Sequence, residues 1–160
     1  MASEQPLDQS ADPKFRPPEW MIPWITKANV WIYKRSNGKY GADGGGMENL
    51  LLSMVGRRSG NPQTVALPYW YDTDGSLIVV ASFGGAAKHP AWFHNVRDTD
   101  ANPTVTVQIR DQVSTATTEV LSGEVYSETW ARLTADRPNY ARYQARTDRT
   151  IPLVRLRLDS

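Results

Sequence analysis

The amino-acid sequence predicts a mainly β domain, a small antiparallel barrel with a few short helices at its periphery. About six segments have the β-branched and aromatic composition of strands, and helical spacing occurs only in short stretches between them. Consecutive strands are joined mostly by turn signals rather than by long helices, which argues against a doubly wound parallel sheet. The length of 160 residues suits one domain with a single core.

The N-terminal part is predicted to lie outside the barrel. Residues 1–18 are polar and rich in proline and are predicted to form a mobile tail. Residues 19–46 are predicted to form an amphipathic helix followed by a flexible connector, SNGKYGADGGG. We interpret the apolar stripe of the helix as core packing or a lid; the alternative is an interfacial helix with Lys27 and Lys34 toward lipid head groups. The stripe consists of Met21, Trp24, Ile25, Ala28, Trp31, Ile32 and Arg35.

The predicted barrel domain covers residues 47–160. The turn signal Asp74-Gly75 joins two of its strands in a hairpin, and Pro68 places its own strand at an edge or a bulge. Ser127 is the predicted N-cap of a helix that Pro138 ends. Strands are predicted over 49–55, 64–71, 76–82, 104–109, 113–125 and 151–158, the last with Val154, Leu156 and Leu158 on one face, and helices over 90–97, 127–136 and 139–149.

Composition excludes several kinds of function. The formal net charge of +1 gives no general attraction to nucleic acid. The chain has no cysteine, which excludes disulfides and thiolate chemistry, and two histidines make a histidine-built metal site improbable. No apolar run is long enough to span a bilayer, and no start resembles a secretion signal. Six tryptophans and seven tyrosines favour flat surfaces for a flat ligand.

Two segments have the chemistry of an anion site. GRRSGNP, residues 56–62, presents two arginines and a serine in a turn, and guanidinium groups match phosphate or carboxylate oxygens. In ASFGGAAKHPAWFHN, residues 81–95, a predicted strand ends at Ser82 and a helix begins near Pro90, beside Lys88. Each segment alone also fits an ordinary turn. Together they favour an anionic ligand with a flat head.

A third segment, residues 137–152, carries Tyr140 and Tyr143, which are three residues apart and so share one side of a helical turn. Core packing explains such a pair in most proteins. The alternative is that the two rings line a substrate pocket. His89 is interpreted as a helix cap, and His94 as a helix residue whose ring nitrogens are hydrogen-bonded. The sequence contains no nucleotide P-loop and no dinucleotide glycine motif.

With these segments in view, the sequence resembles the deazaflavin-dependent nitroreductases, also called coenzyme F420-dependent quinone reductases. The resemblance rests on the order and spacing of GRRSGNP, VVASFGGAAKHPAWFHN, ANPTVTVQI and YARYQARTDRTIPLV. It covers about residues 48–158, nearly all of the predicted barrel. The order of the motifs is specific, whereas each motif alone is weak.

The resemblance implies a split β-barrel that binds reduced F420, a 5-deazaflavin with a phosphate and an oligoglutamate tail, and that reduces quinones or other conjugated or nitro acceptors. It implies that Arg57, Arg58 and Ser59 bind the phosphate side. It places Ala81, Ser82 and Phe83 beside the ring, and Lys88, Ala91, Trp92 and Asn95 in the helix-start cradle. Tyr69, Tyr140 and Tyr143 would border the acceptor, with Tyr140 also near the cofactor. We expect Ser82 and Tyr140 to be catalytic, by donating hydrogen bonds to the reduced acceptor.

Two alternatives remain open from the sequence. The barrel could use flavin mononucleotide, which also needs a cationic phosphate site, or it could carry a deazaflavin or a lipid without turnover. The chain is expected in the cytoplasm, with contact to the inner face of the membrane if the N-terminal helix is interfacial. No segment requires a particular oligomeric state.

Overall fold

The computed structural model describes residues 22–39, 43–44 and 47–159. Six antiparallel strands form a closed barrel: β2 (Met47–Val55), β3 (Pro62–Tyr71), β4 (Leu77–Val80), β5 (Val105–Ile109), β6 (Gln112–Val120) and β7 (Leu153–Leu158). The strand order is β2-β3-β4-β7-β6-β5, and β5 pairs with β2 to close the ring, as in the pair Leu52 and Val107. A two-residue strand β1, Asp43–Gly44, is added to β2. The predicted barrel is confirmed.

Alternating side chains fill the barrel interior. Leu50, Leu52 and Met54 of β2 meet Val154 and Leu156 of β7 in one buried cluster. The opposite face of β4 and β7 is also buried, because two helices cover it. Leu158, predicted to share a face with Val154 and Leu156, is 44% exposed at the end of β7.

The helices follow the predicted positions, except that the third begins at Gly123 rather than at Ser127 and the fourth ends at Gln144 rather than at residue 149. They are α1 (Ile22–Arg35), α2 (Ala91–Val96), α3 (Gly123–Asp136) and α4 (Asn139–Gln144). The predicted strand over 113–125 ends at Val120, because Gly123, with φ of 60°, turns the chain into α3. Ser127 is therefore not an N-cap; it lies inside α3, and its Oγ donates to the carbonyl of Gly123 at 3.2 Å.

The N-terminal helix contacts the barrel through a different face from the one predicted. Tyr33 is fully buried, and its hydroxyl donates to the carbonyl of Asn49 and accepts the N–H of Arg110 at 2.7 Å. Trp31 is 63% exposed and Ile32 is 40% exposed, so the interpretation as core packing is wrong at these two positions, and the interpretation as a lid stays a prediction. The hydroxyl group accounts for this face, since it bonds backbone groups of Asn49 and Arg110 at the barrel wall. No helix of the described ranges is long and apolar enough to cross a membrane.

The connector contains more regular structure than predicted. Gly38 lies against the barrel. A Cβ added at this position would be 2.4 Å from Cα of Arg110. Asp43–Gly44 then pairs with Met47 and Glu48. The rest of the connector and the predicted tail over 1–18 lie outside the described residues.

Strand directions give the barrel two distinct ends. We call one the Arg57 end: it contains the turn 56–61, the loop 81–90 with α2, and residues 149–152 where β7 begins. We call the other the Glu48 end: it contains the start of β2, the turn 72–76 and the end of α3.

Candidate active site

The turn at the Arg57 end presents its two arginines to solvent. Backbone bonds from Gly56 N–H to the Asn61 carbonyl and from Gly60 N–H to the Gly56 carbonyl, each 2.8 Å, close the turn. Arg57, Arg58 and Ser59 are exposed. Within residues 47–159, no carboxylate lies within ion-pair distance of either arginine. Their charge is therefore available to an anion.

Two asparagines attach this turn to α2. Asn95 accepts the N–H of Arg57 at its Oδ1, at 3.1 Å. Asn102 is only 2% exposed; its Nδ2 donates to the carbonyls of Val55 and Asn95, and its Oδ1 accepts the N–H of Val55 at 2.8 Å. Asn95 was predicted from the sequence, but Asn102 was not, since an asparagine before a proline reads as an ordinary loop residue.

The loop after β4 has an unusual backbone. Phe83, Gly84 and Gly85 have φ of 45°, 63° and 81°, three consecutive residues in the left-handed region. A non-glycine residue there costs free energy and persists only when its surroundings fix it. Gly85 also lies against α4, because a Cβ at this position would be 2.5 Å from the carbonyl oxygen of Tyr143.

Arg149 holds this loop, and sequence analysis missed it. Its guanidinium donates to the carbonyls of Ala81 at 3.1 Å, Ser82 at 2.7 Å and Ala86 at 2.8 Å. The fourth contact is with Nδ1 of His89 at 3.0 Å. No carboxylate of residues 47–159 pairs with it. The segment TDR was visible in the sequence, but nothing local indicates partners more than 60 residues away.

The two histidines lie among these cations. Burial, followed by the positive charge of Arg149 and by the neighbouring His94 and Arg97, lowers the pKa of His89. Burial and the charges of Arg97, Arg57 and Arg58 likewise lower the pKa of His94. The Nδ1 atom of His94 is buried and has no hydrogen-bond partner in the described part of the chain. Both rings are therefore neutral at pH 7, and the positive charge of this end resides on the arginines and Lys88.

The predicted helix-start cradle is divided between surface and core. Lys88 and Ala91 are exposed, as expected for residues that contact a ligand. Trp92 is only 7% exposed and packs edge-on against Phe93 inside the barrel cluster. Its role in cofactor binding stays a prediction, and so does the convergence of Arg57, Lys88 and Trp92 on one cleft.

The tyrosine pair on α4 lies beside the loop after β4. Tyr140 is 5% exposed and shares an outer cluster with Val80, the last residue of β4. Its ring contacts that of Tyr143 edge-on, with centroids 6.0 Å apart. The Tyr140 hydroxyl has one weak contact, to Sδ of Met47 at 3.8 Å. Burial raises the pKa of Tyr140 to about 12.

Tyr69 belongs to the Glu48 end and shares the buried barrel cluster with Ala81 and Trp92. Its hydroxyl donates to Oε2 of Glu48 at 2.5 Å, and Arg110 pairs with the other oxygen of that carboxylate at 3.1 Å. Burial and this hydrogen bond raise the pKa of Tyr69, while the bonds from Tyr69 and Arg110 lower that of Glu48.

An open cleft of about 350 Å³ lies at the Glu48 end. It is lined by Glu48, Tyr69, Trp70, Tyr71, Asp136 and Arg137.

The structure thus divides the predicted residues into three groups. The turn residues are tied to Asn95, and the strand end Ala81–Phe83 is tied to Arg149 and to α4. Tyr69 is tied to Glu48 at the other end. The Arg57 end has unpaired guanidinium groups on a fixed backbone, which suits a polyanionic ligand. The aromatic cleft at the Glu48 end is lined by three aromatic rings and by the charged side chains of Glu48, Asp136 and Arg137.

The chain is similar in sequence to known proteins. The chain matches the family model described as F420H(2)-dependent quinone reductase over residues 24–157. It is 35% identical over 127 residues to an F420H(2)-dependent quinone reductase of Mycobacterium tuberculosis, and the match covers 77% of this chain and 83% of that protein.

Solved structures give the same picture. One described as an F420-H2 dependent reductase, FDR-A, is 37% identical with a TM-score of 0.57, covering 68% of this chain and 93% of the other. A second, described as a domain-swapped dimer, is 33% identical with a TM-score of 0.60, covering 84% of this chain and 98% of the other. These likenesses confirm the predicted split β-barrel fold.

Proposed function

The chain belongs to the F420H(2)-dependent quinone reductase family, and from this premise we propose that it is an oxidoreductase that reduces quinones with reduced coenzyme F420. The observation that carries the proposal is the match over residues 24–157, which includes the barrel and the whole Arg57 end. The fold alone would not carry it, since one fold hosts many functions. Nitro and other conjugated acceptors are a finer part of the same proposal.

The Arg57 end fits the acidic cofactor. Arg57 and Arg58 are exposed and without a carboxylate partner in residues 47–159, and the neutral ring of His94 lies among them with a free Nδ1. A phosphate or carboxylate would gain charge-assisted hydrogen bonds here without displacing an internal ion pair. The proposed binding residues are Arg57, Arg58, Ser59, Ala81, Ser82, Phe83, Lys88, Ala91, Trp92, Asn95 and Tyr140.

Reduced deazaflavin supplies a hydride when bound. The protein's part is to align donor and acceptor, exclude water and stabilise the anion that forms on the reduced acceptor. We assign the last task to Ser82 and Tyr140. Because the pKa of Tyr140 is raised to about 12, its phenol keeps its proton at neutral pH. The Ser82 hydroxyl is half-buried and makes no hydrogen bond to another described residue, so it too has a hydrogen to donate.

The acceptor is proposed to contact Tyr69, Tyr140 and Tyr143. Tyr143 is half-buried, its ring contacts that of Tyr140 edge-on and its backbone carbonyl lies against Gly85, which supports a place beside the loop after β4. Tyr69 lines the aromatic cleft at the Glu48 end, so it would contact a larger acceptor or the far side of the pocket.

Peripheral contact with the inner face of the cytoplasmic membrane is a further part of this proposal. Trp31 and Ile32 are exposed on α1, and Lys34 and Arg35 are exposed beside them. Exposed aromatic and aliphatic residues flanked by basic ones are typical of interfacial helices. Co-sedimentation with anionic vesicles tests it: the variant Trp31→Ser/Ile32→Ser should bind less than the wild type, and absence of wild-type binding would remove this part.

Anaerobic kinetics test the function itself. We expect the purified protein to oxidise reduced F420 when menadione is added, and fluorescence titration to show tighter binding of F420 than of FMN. Tighter binding of FMN would favour a flavin-dependent oxidoreductase. Binding of F420 without turnover of any quinone would indicate a carrier instead.

A further inference from the structure

We propose that Arg149 and His89 are positioning residues that clamp the loop 81–89 in one conformation, and that protonation of His89 opens this clamp. The inference rests on the proposed function in one respect, that this loop contacts the cofactor. Its geometry does not depend on that function.

The loop needs an external support. Gly85 N–H donates to the Ser82 carbonyl and Ala86 N–H to that of Phe83, at 2.9 and 3.1 Å, but these two bonds must hold three left-handed residues. Phe83 is half exposed, so packing does little to fix it. The carbonyls of Ala81, Ser82 and Ala86 all point to one place, and a guanidinium group occupies that place.

The backbone that carries the Arg149 side chain is held in place by Gln144. Gln144 at the end of α4 donates through Nε2 to the carbonyl of Arg149 at 2.7 Å, and its Oε1 accepts the N–H of Ile151 at 2.9 Å. The side chain of Arg149 therefore starts from a defined backbone position. A planar fork with several donors can bridge three carbonyls at once, which the single ammonium of a lysine cannot do in the same geometry.

His89 makes the clamp sensitive to pH. Arginine has donors only, so Nδ1 of His89 must be the acceptor at 3.0 Å, and the neutral ring carries its proton on Nε2. The charged and titratable groups facing this ring are Arg149, Arg97 and His94, and no carboxylate offsets them among residues 47–159. Protonation at Nδ1 would replace the hydrogen bond by two facing cations.

The direction of the pH effect follows from that contact. Since the pKa of His89 is lowered in the folded protein, the clamp is complete above the ordinary histidine pKa and is lost as pH falls through the lowered value. Cofactor affinity should fall in the same direction, beyond any change that comes from the cofactor's own titration.

Substitutions at both partners test the clamp. Arg149→Gln should weaken F420 binding about tenfold, because the carbonyls of Ala81, Ser82 and Ala86 lose the group that bridges them, and Arg149→Lys should restore only part of it. Arg142→Gln removes the same charge from an exposed site on α4 and should leave binding unchanged. Equal binding by folded Arg149→Gln and wild type would overturn the proposal.

Variants of His89 separate the loss of its hydrogen bond to Arg149 from the effect of its protonation. His89→Asn keeps an acceptor near the position of Nδ1 but does not titrate, so its affinity should lose the extra acid dependence of the wild type. His89→Leu has no acceptor and should bind more weakly than His89→Asn at pH 8. An unchanged acid dependence in His89→Asn would contradict the role of this residue.

Cofactor-free NMR gives an independent reading. In the wild type at pH 7.5, nitrogen shifts should show His89 as the Nε2–H tautomer, and the amides of Gly85 and Ala86 should exchange slowly. Both features should be lost in Arg149→Gln and weakened in Arg149→Lys, which serves as the test if the former does not fold. If the wild type shows them but binds no F420, the proposed function fails and the clamp stands; if the wild type lacks them, the clamp fails whatever the cofactor.

Discussion

The two ends of the barrel handle charge in opposite ways. At the Glu48 end the carboxylates have cations within the chain: Glu48 pairs with Arg110, and Asp72 pairs with both Arg132 and Arg155. At the Arg57 end the guanidinium groups of Arg57, Arg58 and Arg149 have no carboxylate partner within residues 47–159. Internally compensated charge supports the fold, whereas uncompensated charge on a fixed backbone is left for a ligand. Substitutions at one end should therefore change stability, and those at the other should change binding.

The largest effect on stability is expected at Asp72. Its side chain is 2% exposed and receives two bonds from Arg132, at 3.0 and 3.1 Å, and a third contact from Arg155. Asp72→Ala leaves the buried Arg155 without this partner and should lower the free energy of unfolding by about 3 kcal/mol. Urea denaturation measures it, with the exposed Asp100→Asn as control. F420 affinity should not change, and a loss of affinity without a loss of stability would break the contrast between the ends.

The next effect is on binding. Arg57→Gln/Arg58→Gln should weaken F420 binding by about 10- to 100-fold, because each lost guanidinium removes charge-assisted hydrogen bonds to the tail. The salt dependence of affinity should also become shallower. Stability should stay within about 0.5 kcal/mol of the wild type, since both side chains are exposed. Fluorescence titration at two salt concentrations checks this, beside Arg142→Gln.

A third effect separates chemistry from binding at the same end. Ser82→Ala and Tyr140→Phe should each slow turnover about tenfold or more while changing F420 affinity less, because each removes a donor that acts on the reduced acceptor. Tyr126→Phe is the matched control, since the Tyr126 hydroxyl only donates to the Ile151 carbonyl, at 2.8 Å. Wild-type turnover in both variants would remove Ser82 and Tyr140 from the reaction.

The smallest effect is expected at Tyr69. Tyr69→Phe removes the hydrogen bond to Glu48 and should cost about 1 kcal/mol of stability at pH 7. The bond lowers the pKa of Glu48, so its stabilisation is present above the ordinary glutamate pKa and is lost as pH falls through the lowered value. The variant should therefore lose less stability than the wild type on acidification. Tyr71→Phe, whose exposed ring touches Tyr69 edge-on, is the control.

The sequence predicts the barrel well because each strand carries its own signal. Val105 and Val107 alternate with polar residues, and Asp74-Gly75 marks its hairpin without help from distant residues. The start of α3 was misplaced because Gly123 determines it through a positive φ, whereas Ser127 has the residue type typical of a cap.

The missed site residues share a physical cause. Arg149 and Asn102 act through backbone groups that are distant in sequence, and a backbone carbonyl leaves no residue-type signal at its own position. The buried face of α1 was misjudged for the same reason, since Tyr33 is selected by backbone partners at Asn49 and Arg110 rather than by hydrophobicity. Local spacing therefore finds elements and candidate cations, and tertiary hydrogen bonds decide what holds them.

Mapping of F420 onto the amide spectrum tests the contrast between the ends most directly. Titration of the isotope-labelled protein should shift the amides of residues 56–60 and 82–86, and should leave those of Asp72 and its turn at their free positions. Shifts confined to the Glu48 end, or saturable binding with no change in the turn 56–61, would contradict the assignment of the acidic tail to the Arg57 end.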